Sequence, residues 1–219
     1  MSEFELVLRN PFTMTIAGPT KCGKTTLVNK IIRNSFWLYS EKPNCFFYFY
    51  NSVKPSREHK DIHSNVVQFI NGLPDLEWLK DTVKQYGKNI TIIVDDQDMN
   101  LTGDMATLFT VGSHHLCTNM IFITHNLFNR SKENIYRDMS LNTDYFVLCK
   151  QVRDKTQVRR FFSQYSPDKS KVGLQIYNDA TALPYSYLWM DLHQETPDNM
   201  RMLSNMFWEN QTPPLSYTF

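Results

Sequence analysis

The run Gly18-Pro19-Thr20-Lys21-Cys22-Gly23-Lys24-Thr25 constrains this chain most, because it meets G-x-x-x-x-G-K-[ST] at every fixed position. Each fixed residue answers a physical need. Gly18 is expected to let the chain leave a strand through unusual dihedrals. Gly23 lets the backbone approach an anion with no Cβ in the way. The N–H groups between them can point inward as an anion nest. A helix starting near Lys24 adds the partial positive charge of its N-terminus. Residues 18–25, with Thr26 after them, therefore read as a loop for nucleotide phosphates. Lys24 is expected at the β- and γ-phosphates, and the Thr25 hydroxyl on magnesium. The context fits, since the apolar run Phe12 to Ala17 precedes the motif and a helical pattern to about Arg33 follows.

Further along, Thr91-Ile92-Ile93-Val94 is an apolar strand that ends in Asp95 and Asp96. In a parallel sheet the carboxyl ends of strands share one edge, so this pair belongs with the phosphate loop. Asp95 is expected to hold magnesium, usually through water, and Asp96 to polarise the attacking water. Without the phosphate loop, Asp95, Asp96 and Asp98 would read as a solvated turn. A third strand, Asn119 to Thr124, ends in His125 and Asn126. ATPases of the additional-strand class insert a strand between the two motif strands, with a polar tip facing the γ-phosphate or the lytic water. His125 and Asn126 both suit that role, although Asn126 also suits a plain turn. The adjacent His114 and His115 point apart on regular structure and read as a surface pair, not a metal site.

The remaining pattern is one of alternating strands and helices, which predicts an α/β fold with a mostly parallel central sheet flanked by helices. Strands are expected at Cys45 to Tyr50, Val66 to Ile70, Asp144 to Cys149 and Tyr185 to Leu192. Helices are expected from Pro74 to Tyr86, Asp104 to Gly112, Asp154 to Gln164 and Lys169 to Asp179. Residues 1–208 read as a single domain and 209–219, with two prolines, as a flexible tail. Net charge is +1, so bulk charge alone demands no polyanionic partner, though a local basic loop in an oligomer would suffice. The four cysteines are far apart with no C-x-x-C pair, which argues against a zinc knuckle or a disulfide framework and suits reduced thiols in an intracellular setting. No apolar run approaches the ~18 residues of a membrane span. The opening residues carry acids and lack the apolar core of a secretory leader.

Taken together, these residues resemble a family. The run from Pro11 to Thr25 resembles the start of genome-packaging ATPases of the FtsK–HerA superfamily. Within it, the likeness is to the packaging ATPases of Polinton/Maverick elements and adintovirus-like viruses, relatives of the poxvirus packaging ATPase. It continues through Asn71-Gly72-Leu73-Pro74, Ile93-Val94-Asp95-Asp96, Gly112-Ser113-His114-His115 and Ile123-Thr124-His125-Asn126. It then extends through Ser140-Leu141-Asn142 and Arg153-Asp154 to Tyr187-Leu188-Trp189-Met190-Asp191-Leu192. The resemblance implies a RecA-like P-loop NTPase of the additional-strand class that uses ATP and Mg2+. It also implies a homo-oligomeric ring, a hexamer, that drives double-stranded DNA into a preformed capsid at its portal or vertex. The place of action would be inside the host cell, at the site of virion assembly in nucleus or cytoplasm, or with the virion; the chain would not be secreted. Nucleotide would sit between subunits with an arginine from the neighbour, for which Arg137 and Arg153 are the candidates and Arg130 the reserve. One departure is His125, where the family usually has glutamine.

Two other readings use the same loop. A small-molecule kinase needs an acceptor pocket and a lid with arginines, for which Arg153, Lys155, Arg159 and Arg160 are the available cluster. A non-hydrolysing assembly protein would use nucleotide only as a switch. The acidic pair followed by a polar strand tip favours water as the acceptor.

Overall fold

The computed structural model describes residues 7–51, 66–95, 97, 100–128, 133–208 and 213–219. Among the described residues, nine strands follow the hydrogen-bonded order β3-β2-β4-β5-β1-β6-β7-β8-β9. Strands β1 (Thr13–Ala17), β2 (Cys45–Tyr50), β3 (Val67–Asn71), β4 (Ile90–Asp95), β5 (Asn119–Thr124) and β6 (Tyr145–Cys149) come first along the chain. The pairs β2–β3, β2–β4 and β1–β6 are parallel. An antiparallel meander, β7 (Tyr187–Asp191), β8 (Met202–Ser204) and β9 (Leu215–Tyr217), extends from β6. The sheet order sets β5 between β4 and β1, as the additional-strand class requires. The chain's contacts gather into two compact units.

The first unit comprises Met1–Thr13 and Thr25–Phe122. Its strand β2 is buried along nearly its whole length, which the unbroken apolar run Cys45 to Tyr50 requires. Helix α3 (Leu76–Tyr86) covers it through edge-to-face rings: Trp78 lies 5.2 Å from Phe47 and 4.8 Å from Phe49. The start of α3 differs from the expectation at Pro74. Asp75 is the N-cap, and its carboxylate accepts from the Trp78 N–H at 2.7 Å. Pro74 lies just outside the helix because the side-chain acceptor, not the ring, satisfies the first turn. Helix α1 (Lys24–Arg33) runs on into a short helix α2 (Ser35–Leu38) that sequence periodicity does not reveal. The helical run expected from Asp104 to Gly112 extends from Gly103 to Leu116. It consists of α4 (Gly103–Thr107), a π-turn over Leu108–Gly112 and α5 (Ser113–Leu116). Thr110 and Ser113 hydroxyls donate back to the Ala106 and Phe109 carbonyls along this run. It ends at Cys117, which is left-handed at φ 53°.

The second unit comprises Met14–Lys24 and Ile123–Phe219. Helix α6 (Glu133–Leu141) is missed by the sequence pattern, and α7 (Thr156–Tyr165) and α8 (Ser170–Ala180) start later than expected. Asp154 stands outside α7 because its carboxylate accepts from the Thr156 N–H at 2.8 Å. The core joins Phe146 and Leu148 of β6, Leu188 and Met190 of β7, and Phe161, Phe162, Ile176 and Tyr177 of the two helices. Strand β7 is shorter than the expected Tyr185 to Leu192, because Tyr185 takes a positive φ of 62° that no strand accommodates. Near the end of the chain, Leu215–Tyr217 pairs with β8, and the Tyr217 hydroxyl donates to Asp179 at 3.0 Å. Among the described residues no helix is long and apolar enough to cross a membrane.

Candidate functional site

In the second unit the phosphate loop leaves β1 at Gly18, whose N–H donates to the Thr124 carbonyl at 3.2 Å. The need for glycine there is space, not an unusual dihedral as the sequence reading held. A Cβ on Gly18 would stand 2.7 Å from both Cys149 Cβ and Cys22 Sγ, and its φ lies outside the left-handed region. The left-handed positions are Lys21 at φ 65° and Gly23 at φ 100°. Pro19 and Gly23 are half-buried, Thr20 and Lys21 exposed, and Cys22 buried. Thr25 is half-buried and Thr26 exposed in the first turn of α1.

The Lys24 ammonium is buried and uses all three of its donors. It gives them to Gly18 O at 2.6 Å, Pro19 O at 3.0 Å and His125 Nδ1 at 3.1 Å. An ammonium only donates, so His125 Nδ1 accepts and the ring proton sits on Nε2. The His125 ring thus has its N–H at Nε2, just past the end of β5. Asn126 is directed elsewhere, since its side-chain oxygen accepts from Gln157 Nε2 of α7 at 3.2 Å. Gln157 Oε1 also accepts from the Leu127 N–H at 2.8 Å, so one side chain fixes the turn after β5.

Two residues that sequence reasoning missed shape this loop. Cys149, at the end of β6, hydrogen-bonds the Cys22 thiol. That bond, aided by the Lys24 charge and by loop N–H groups, outweighs burial and lowers Cys22 to about 7. The Cys22 thiol and burial together hold Cys149 well above the ordinary thiol range. Cys149 is itself positioned by Tyr177, whose hydroxyl donates to the Cys149 carbonyl at 2.9 Å and accepts from the Gln151 N–H at 2.7 Å. Burial pushes the Tyr177 hydroxyl up to about 12. Tyr185 is the second missed residue; a Cβ at Gly23 would lie 3.6 Å from its ring.

In the first unit, Asp95 closes β4 and accepts from the hydroxyl of Tyr48 on β2. A buried tyrosine on an apolar strand needs a partner for its hydroxyl, which is the signal that could have found Tyr48. Just beyond, Gln97 is fully buried and donates to Gly72 O at 2.9 Å, joining two loops of that unit. Asp96 and Arg130 lie outside the described residues. Arg137 on α6 and Arg153 on the β6–α7 turn are both exposed. Of the basic cluster weighed as a kinase lid, Lys155 donates to Asn178 at 2.8 Å and Arg160 lies 4.4 Å over the Phe128 ring. His114 and His115 are exposed at the end of α5.

The residues present fit a triphosphate. The loop carries a left-handed glycine, the first N–H groups of α1 have no partner within the helix, and a buried ammonium reaches the same loop. Solved structures agree at the level of fold. The genome packaging NTPase B204 of Sulfolobus turreted icosahedral virus 2, solved in complex with ATP-gammaS, aligns with a TM-score of 0.51 and 15% identity. That match covers 85% of this chain and 94% of the viral one. A KaiC-like protein from the archaeon Pyrococcus horikoshii aligns with a TM-score of 0.52 and 13% identity over 99% of this chain and 95% of its own. The fold is that of a RecA-like P-loop ATPase. No protein-family model matches the sequence, and no curated protein matches it. In the sheet order the strand between β4 and β1 is β5, and His125 follows its last residue.

Proposed function

We propose that this chain is an ATP-hydrolysing motor that moves double-stranded DNA into a preformed viral capsid, working as a hexameric ring at the capsid portal or vertex. The observation that carries the reading is the meeting of Lys24 and His125 at 3.1 Å, the phosphate-loop lysine with the polar tip of β5. On nucleotide binding Lys24 exchanges the Gly18 and Pro19 carbonyls for the β- and γ-phosphates. Breaking its bond to His125 leaves that imidazole beside the γ-position, where it can donate to phosphate or orient water. Asp96 takes the proton of the attacking water. Thr25 and Asp95 would hold magnesium, and Tyr48 donates to the Asp95 carboxylate. Bound magnesium would neutralise charge that develops on the phosphates. Exposed Arg137 or Arg153 serves the neighbouring subunit's site as the trans arginine.

The packaging role is supported by the ordered residue resemblance from Pro11 to Leu192 and by a shared fold with a protein named as a genome packaging NTPase. Its place of action is then the host-cell site of virion assembly. The test is phosphate release measured against protein concentration, with and without duplex DNA and with no added nucleoside. Cooperative, DNA-stimulated release is expected. Full-rate turnover by isolated monomers would contradict the shared site, and a strict need for a nucleoside acceptor would mark a kinase.

A further inference from the structure

A loop that grips only phosphates leaves the base of a nucleotide uncovered, and among the described residues the aromatic side chain of Tyr185 stands close to that loop. A Cβ placed on Gly23 would lie 3.5 Å from Tyr185 Cβ and 3.6 Å from its Cδ1, so the tyrosine stands beside the glycine that opens the loop to phosphate, within reach of any side chain placed there. The same side chain is 70% exposed, and its neighbour Leu183 is 61% exposed. An aromatic residue at φ 62° is costly, because a bulky side chain rarely adopts the left-handed region.

The turn between α8 and β7 holds Tyr185 in that position. Lys150 Nζ donates to Ala182 O at 2.6 Å and to Leu183 O at 3.4 Å. The Lys150 N–H donates to Ser186 O at 3.1 Å, and the Ser186 hydroxyl donates to Leu183 O. Lys150 follows Cys149 at the end of β6, so the strand that lines the phosphate loop also clamps the turn carrying Tyr185. The result is a solvent-facing aromatic surface, with exposed Leu183 close by in the same turn, held beside Gly23. A flat apolar ring beside a phosphate site matches one part of a nucleotide, its heterocyclic base.

We propose that Tyr185 is the platform on which the base of the bound nucleoside triphosphate stacks; this rests on the nucleotide reading of the Gly18–Thr25 loop. Stacking uses the π-face that every base has, so the platform adds affinity with little choice between adenine and guanine. It also explains why exposure is kept at a residue whose backbone is strained.

The test compares two probes, ATP and inorganic tripolyphosphate, bound to the wild type, Tyr185→Ala and Tyr185→Phe by titration calorimetry. Tyr185→Ala is expected to weaken ATP by about tenfold or more while leaving tripolyphosphate unchanged. Tyr185→Phe is expected to retain wild-type affinity for both. Equal weakening of both probes by Tyr185→Ala would show that the ring only props the loop, and unchanged ATP affinity would show that the base lies elsewhere; either result overturns the proposal. A wild type that binds neither probe would overturn the nucleotide reading beneath it.

Discussion

Cys22 occupies a variable position of the phosphate loop, yet its thiol is one of the most perturbed groups of the second unit. The Cys149 thiol bonds to it, Lys24 adds its charge, and the pKa falls from 9.0 to about 7. The folded-state value lies below the unfolded one. The thiolate therefore adds stability that is full above pH 9.0 and is lost as pH falls through about 7. Because the thiolate is the nucleophile, the rate of Cys22 alkylation by iodoacetamide should rise through a midpoint near pH 7. In Cys149→Ala the midpoint should move up toward that of an ordinary thiol. A profile unchanged by the substitution would show that the loop N–H groups and Lys24 hold the thiolate without Cys149. Gly18, Gly23, Lys24 and Thr25 can be named as candidates from spacing alone, because that spacing matches a phosphate-binding motif. Cys149 and Tyr185 were invisible, since they meet the loop only through the pairing of β6 and the turn before β7. Spacing along a chain carries no trace of such contacts.

Elements were legible where one period ran uninterrupted. β2, β4 and β5 read correctly because an apolar run of strand length, bounded by polar residues, has few alternatives. The starts of α3 and α7 were misplaced because Asp75 and Asp154 accept from backbone N–H groups ahead of each helix. β8 and β9 were missed because three-residue strands leave no periodic signal. Packing between elements is equally hidden, and Gly173 shows why. A Cβ there would stand 2.3 Å from Phe162 Cδ1, so α8 approaches α7 at a point where only glycine fits. Phe162 is fully buried in the core of that unit and has little room to yield. Gly173→Ala is therefore expected to cost about 1–3 kcal/mol in urea unfolding, despite alanine's better helix propensity. A stabilised variant would mean that the two helices can separate without loss.

For the molecule as a whole, the sheet order decides the class: β5 lies between β4 and β1, and the parallel strands give way to an antiparallel edge at β7. Alternating strands and helices foretold the parallel part, and motif order foretold the inserted strand. The antiparallel edge was not foretold, because β8 and β9 pair by register with β7 and not by any pattern of their own. The functional account rests on triphosphate entering the loop between Gly18 and Thr25 and meeting the tip of β5. A structure determined with ATP-gammaS and magnesium measures this directly. Lys24 should leave the Gly18 and Pro19 carbonyls for the β- and γ-phosphates, with the His125 ring within hydrogen-bond reach of the γ-phosphate. A triphosphate bound away from this loop, with Lys24 still bonded to Gly18 and Pro19, would contradict the account.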